Sequence, residues 1–93
     1  MGALKQLSQH WESQEFAIVG RFEFSGFERA LEFVNHVAKM AQTHNHHPKI
    51  SIDYSRVELL LTTHDAGNTV TEKDHLLACA IDDWMKNSNR NTL

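Results

Sequence analysis

Three imidazoles make up the part of this chain best suited to chemistry. His46 and His47 stand directly before Pro48, Tyr54 follows, and His64 closes an apolar run. Histidine is the common side chain whose ordinary pKa lies near neutrality, so a cluster of them can both donate and accept protons there. The chemistry depends on whether the chain brings them together.

Residues 49–54 and 57–63 both read as strands. Ile50, Ile52 and Tyr54 alternate with polar residues, and Val57, Leu59 and Leu61 share one parity. Only Ser55 and Arg56 separate the two runs, which predicts a two-residue hairpin. That register sets Tyr54 across from Val57, Ile52 from Leu59 and Ile50 from Leu61. Continued to the open end, it sets His47 directly across from His64, at the roughly 4.5–5.5 Å Cβ spacing of opposed residues. The same register opposes Asp53 and Glu58, a like-charge pair that costs stability.

The remaining elements hold this hairpin. A short helix is expected over residues 3–10, a first strand opening at Trp11, a turn near 13–15 and a second strand over 16–24, with Phe16, Ile18, Phe22 and Phe24 on one parity. Ser25 and Glu28 have capping-box spacing, so a helix is predicted to start at Ser25. Phe27, Ala30, Leu31, Val34, Val37, Ala38 and Ala41 follow as its apolar stripe. Its end is expected near 43–45, with Asn45 as a left-handed cap. Pro48 turns His47 away from helical geometry. Thr71 and Asp74 suggest a second capping arrangement, and Leu77, Ala80, Ile81 and Trp84 the stripe of a last helix. The tail after Lys86 is expected to fray. The order implies an α+β fold, an antiparallel sheet with helices on one face.

With 93 residues, the chain is read as a single domain over 1–93. Its formal net charge of −3 gives no electrostatic case for nucleic acid or anionic membrane. No apolar run is long enough to span a bilayer, and the N-terminus lacks a signal-peptide apolar region. The single cysteine, Cys79, falls in a helical pattern and is expected to be a buried thiol in a reducing, cytoplasmic setting. His10, His36 and His75 belong to no motif and are expected to face solvent.

In combination, His46-His47-Pro48, Tyr54, His64 and Asp74 resemble the pterin-4a-carbinolamine dehydratase family. Trp11, Phe22-Glu23-Phe24, Phe27, Ala30, Phe33-Val34 and Leu61-Thr62-Thr63-His64-Asp65 extend the resemblance over about residues 11–85. It implies a four-stranded antiparallel sheet with helices packed on one face, pairing of subunits into a homodimer or homotetramer, and dehydration of a 4a-hydroxytetrahydropterin to quinonoid dihydropterin. On this resemblance His46, His47 and His64 are the catalytic candidates, with His46 and His64 as acid and base. His47, Asp74, Gln42 and Thr63 are the candidates for holding substrate, with orienting an imidazole as the alternative role of Asp74. The elimination requires no metal and no organic cofactor. A pterin-dependent aromatic amino-acid hydroxylase would supply the substrate.

One departure stands out. The family usually carries an ionisable residue where this chain has Gln42, which supplies hydrogen bonds but no charge, so reduced activity is expected. Two other readings compete. His44, His46, His47, His64 and Asp65 include enough nitrogen and oxygen ligands for zinc, although adjacent ligands fit poorly around one tetrahedral ion. A catalytically weak paralogue acting as a protein-binding, dimerisation or assembly factor is the other.

Overall fold

The computed structural model describes residues 6–87, and the side chain of Asn87 lies outside the description. The strands are β1 (Trp11–Ser13), β2 (Ile18–Glu23), β3 (Lys49–Asp53) and β4 (Arg56–Leu61). The helices are α1 (Phe27–His44) and α2 (Glu72–Asn87), with a single 3-10 turn at His64–Ala66. All pairings are antiparallel and the strand order is β1-β2-β4-β3.

Alternation along the strands separates two faces. Ile18 and Phe22 of β2 and Val57, Leu59 and Leu61 of β4 point into the core. They meet Ala30, Phe33 and Val37 of α1 and Leu77, Ala78 and Ile81 of α2. Both helices therefore cover one face of the four-stranded sheet, as the sequence predicts. The other face carries Val19 and Leu60 beside charged residues: Arg21 donates to Glu12 at 2.7 Å and to Glu58 at 3.2 Å. Those bonds, chiefly the one to Glu12, hold its guanidinium above its ordinary pKa. The group is exposed, and such pairs contribute little to stability.

The core takes Ala30, Val34, Val37 and Ala41 of the expected α1 stripe, adds Phe33, and leaves the rest of the stripe outside. Ala30, Phe33, Val37 and Ala41 are buried, whereas Phe27, Leu31 and Ala38 are exposed. Phe33 decides this selection. Its ring lies 4.7 Å from that of Phe22, 5.0 Å from Phe24 and 6.1 Å from Trp84. Helix α1 also begins one step later than predicted. Gly26 is the extended N-cap, with no side-chain cap bond, and Glu28 falls in the second helical position, so the box with Ser25 does not form. At the N-terminus, residues 6–10 form no helix but an irregular segment and a turn; the rest of the expected helix, and residues 88–93, lie outside the described residues.

The hairpin differs by two residues. Ile52 pairs with Val57, Ile50 with Leu59 and Asp53 with Arg56. The two-residue loop is Tyr54-Ser55, with Tyr54 at a left-handed φ of 55°. A slip of two leaves every side chain on its predicted face, because strand periodicity is two. It also replaces the Asp53–Glu58 clash with an Asp53–Arg56 pair and sets Ser51 against Glu58. The ladder ends at Lys49, so the direct opposition of His47 and His64 does not occur.

Candidate active site

Helix α1 ends where the sequence places its cap. Asn45 adopts φ 50°, ψ 45°, and its N–H donates to the Gln42 carbonyl at 3.2 Å. The His46 N–H donates to the Ala41 carbonyl at 3.0 Å. This left-handed turn sends His46 and His47 out of the helix together, and Lys49 then enters β3.

His46 turns inward. Its Nε2 lies 2.6 Å from Asp74 Oδ1, with side-chain exposures of 11 % and 0 %. Asp74 comes from the first turn of α2. Its other oxygen, Oδ2, accepts the Thr71 N–H at 2.9 Å, which completes the predicted capping arrangement. Oδ2 also accepts the Thr63 hydroxyl at 2.8 Å. A buried carboxylate is tolerated only when its lone pairs are used in this way, and the positive end of α2 favours it further.

His47 is exposed, and its Nε2 lies 2.6 Å from Gln42 Oε1 on the last turns of α1. Gln42 thus touches an imidazole of the pair. His64 is exposed at the start of the 3-10 turn, where its Nδ1 lies 2.9 Å from Asn68 Oδ1. That loop is tied at its base: the Thr63 N–H donates to the Thr69 carbonyl at 2.9 Å, and the Ala66 and Asn68 N–H groups each donate to the Thr63 carbonyl at 3.1 Å. His64 and the buried Thr63 are adjacent in the chain, so the sequence His46, Asp74, Thr63, His64 is a continuous physical connection across three elements.

Thr71 is the residue of this network that sequence reasoning noted only as a cap. Its hydroxyl lies 2.6 Å from that of Thr63. Thr63, a candidate for substrate contact, is 6 % exposed and spends its proton on Asp74. Of the remaining histidines His44 is exposed, whereas His10, His36 and His75 are half-buried. His10 stacks on Phe22 at 4.7 Å and His36 on Trp84 at 4.4 Å. His75 is half-buried, with Nδ1 sealed and unpartnered among the described residues. Among the described residues, no group of three or more His, Cys, Asp or Glu side chains is placed to hold a metal ion. Hollows of about 420 and 430 Å³ are lined by none of His46, His47 and His64. The first is between the N-terminal segment and α2, and the second is over Arg21, Glu58 and neighbouring residues of the sheet.

The family model for pterin 4 alpha carbinolamine dehydratase matches residues 2–84. This chain belongs to that family. A relative from Chloroflexus aurantiacus, named for pterin-4-alpha-carbinolamine dehydratase, is 49 % identical over 83 residues, covering 87 % of this chain and 88 % of its own. One from Thermomicrobium roseum, named likewise, is 47 % identical over 78 residues, covering 84 % and 83 %. The activity in these names is that of a hydro-lyase. A solved transcriptional coactivator/pterin dehydratase from Brucella melitensis shares the fold at a TM-score of 0.75, with 32 % identity and 81 % of each chain covered. A pterin dehydratase-like protein described as a RuBisCO assembly factor of the alpha-carboxysome superposes at a TM-score of 0.62 with 19 % identity, over 78 % of this chain and 83 % of its own. That last likeness concerns the pterin dehydratase fold alone.

Proposed function

We propose that this chain dehydrates a 4a-hydroxytetrahydropterin. The C4a–O bond breaks, the departing hydroxyl takes a proton to become water, and the N5 proton is lost, giving the quinonoid dihydropterin. The reaction needs one acid and one base around a flat heterocycle, and positioned imidazoles typically contribute about 10²–10⁴-fold through such transfers. His46 and His64 fill these two roles, and His47, steadied by Gln42, holds the ring or shares in proton transfer. No metal or organic cofactor is needed for this elimination. A pterin-dependent hydroxylase is the class of enzyme that supplies the substrate, and assembly into a dimer or tetramer accompanies the reading.

The observation that carries it is the buried Asp74 carboxylate bonded to His46 Nε2 and joined through Thr63 to the segment bearing His64. A histidine held by a sealed carboxylate is arranged for proton transfer rather than for packing. The uncharged Gln42 favours a second reading, a paralogue that has kept the fold as a protein-binding or assembly factor without the chemistry. A stopped-flow assay with chemically generated 4a-hydroxytetrahydropterin decides between them. Wild type accelerates dehydration, His46→Ala loses at least about 10²-fold, and Gln42→Glu gains, because a carboxylate beside His47 favours the protonated imidazole. Wild type that leaves the uncatalysed rate unchanged removes the enzymatic reading.

A further inference from the structure

Every hydrogen of the network around Asp74 has a determinate place. The Lys73 N–H donates to the Thr71 hydroxyl oxygen at 3.3 Å. The Thr63 hydroxyl donates to Asp74 Oδ2 at 2.8 Å, so the 2.6 Å contact between the two hydroxyls carries the Thr71 proton toward Thr63. All donation therefore runs one way, from the start of α2 through Thr71 and Thr63 to the carboxylate. Oδ2 receives the Thr63 hydroxyl and the Thr71 N–H, and Oδ1 is left as an acceptor facing His46 Nε2 at 2.6 Å. A carboxylate in this position requires hydrogen on Nε2. Nδ1 of the neutral ring then carries the lone pair. It has no partner among the described residues and is not among the sealed atoms.

We infer that Thr63, with Thr71 as its donor, is a positioning residue that holds the Asp74 carboxylate and through it the orientation of His46, whose tautomer that carboxylate sets, and that Nδ1 is the nitrogen of His46 that exchanges protons with substrate. Thr63 holds the second imidazole as well. Its backbone N–H and carbonyl anchor the loop that begins at His64. One buried threonine thus sets both members of the acid/base pair relative to each other, its side chain acting on His46 and its main chain on His64. The contrast with Gln42 is instructive. An amide can rotate to offer either oxygen or NH₂ and so does not dictate which nitrogen of His47 bears hydrogen, whereas Asp74 offers only acceptors.

The assignment of His46 to proton transfer rests on the dehydratase reading; the tautomer does not, and the two are tested separately. In the ¹⁵N-labelled full chain, at a pH where His46 is neutral, long-range ¹H–¹⁵N correlations of its ring, assigned by their loss in His46→Gln, show the Nε2–H form. Thr63→Val, which removes the hydroxyl at nearly constant shape, keeps this form, because Asp74 still offers only acceptors, but exchanges the Nε2 proton with water faster as the carboxylate loosens, and Thr63→Ser restores the slow exchange. In the dehydration assay Thr63→Val lowers kcat about tenfold, well below the cost of losing a carboxylate that orients a catalytic histidine directly. KM stays within about twofold, and Thr63→Ser recovers most of the rate. An Nδ1–H form of His46 in the wild type, or an unaltered exchange rate of the Nε2 proton in Thr63→Val, overturns the inference. If the wild type proves inactive, the ring correlations and the exchange rate still decide the positioning role on their own.

Discussion

Asp74 carries two duties at once. It is the third-position carboxylate that receives the Thr71 N–H at the start of α2, and it is the partner of His46 Nε2. Either duty alone would keep an acidic residue here, but only the second requires it to be acceptor-only. Asn keeps the size and one acceptor yet also presents an NH₂ group. Facing Nε2, that group turns the histidine to its other tautomer and removes the lone pair from Nδ1. The expected result for Asp74→Asn is a kcat lower by about 10²-fold or more, as when a carboxylate that orients a catalytic histidine is replaced by its amide. Circular dichroism of the variant should keep the helical signal of α2, because an amide oxygen can still serve the cap. A kcat within about threefold of wild type in the stopped-flow assay would show that the carboxylate only caps the helix.

The site is assembled at ends of elements, and those ends decided how much of it could be read in the sequence. Asn45 was legible as a left-handed cap because few residue types accept that geometry, and it is the turn at Asn45 that delivers His46 and His47. Asn45→Gly should leave stability unchanged or slightly improved, and Asn45→Ala should cost about 1 kcal/mol, the strain of a Cβ in the left-handed region. Urea denaturation of the two variants checks this, and Ala equal to Gly would mean that backbone geometry does not set the cap. The face of each hairpin strand was legible from alternation, whereas its register was not, since a slip of two preserves the pattern. The like charges of Asp53 and Glu58 argued against the expected register, and in the observed ladder Asp53 stands opposite Arg56, whose guanidinium lies 3.9 Å from Glu23. The meeting of His46 and Asp74 was out of reach of local patterns altogether. The two lie 28 residues apart, and their contact depends on how α2 crosses α1.

Across the whole molecule, the chain is closed by a clasp far along the sequence. Asp82 of α2 accepts the Ser8 N–H at 2.9 Å, the Ser8 hydroxyl at 2.8 Å and the Trp11 indole N–H at 2.9 Å. The three donors lie 71 to 74 residues from their acceptor, so the clasp ties the N-terminal segment and the edge strand β1 to the last helix. Trp11 is seated by the glycine opposite it. A Cβ at Gly20 would fall 2.6 Å from the indole ring, so the close approach of strand and ring needs that residue. Asp82 stands two turns along α2 from Asp74, about 12 Å at the helical rise, and the two carboxylates share no partner. Stability and catalysis should therefore separate. Asp82→Ala leaves three donors without their charged acceptor and should cost about 2 kcal/mol, a fall in melting temperature of about 10 °C for a domain of this size. Asp82→Asn, which keeps an acceptor, should lose about half as much. Below the transition, kcat for dehydration should remain within about twofold of wild type in both variants. An unchanged melting temperature in Asp82→Ala would show that packing of Trp11 alone holds the segment; a fall in kcat at full folding would show that the N-terminal segment reaches into the site of His46 and His64.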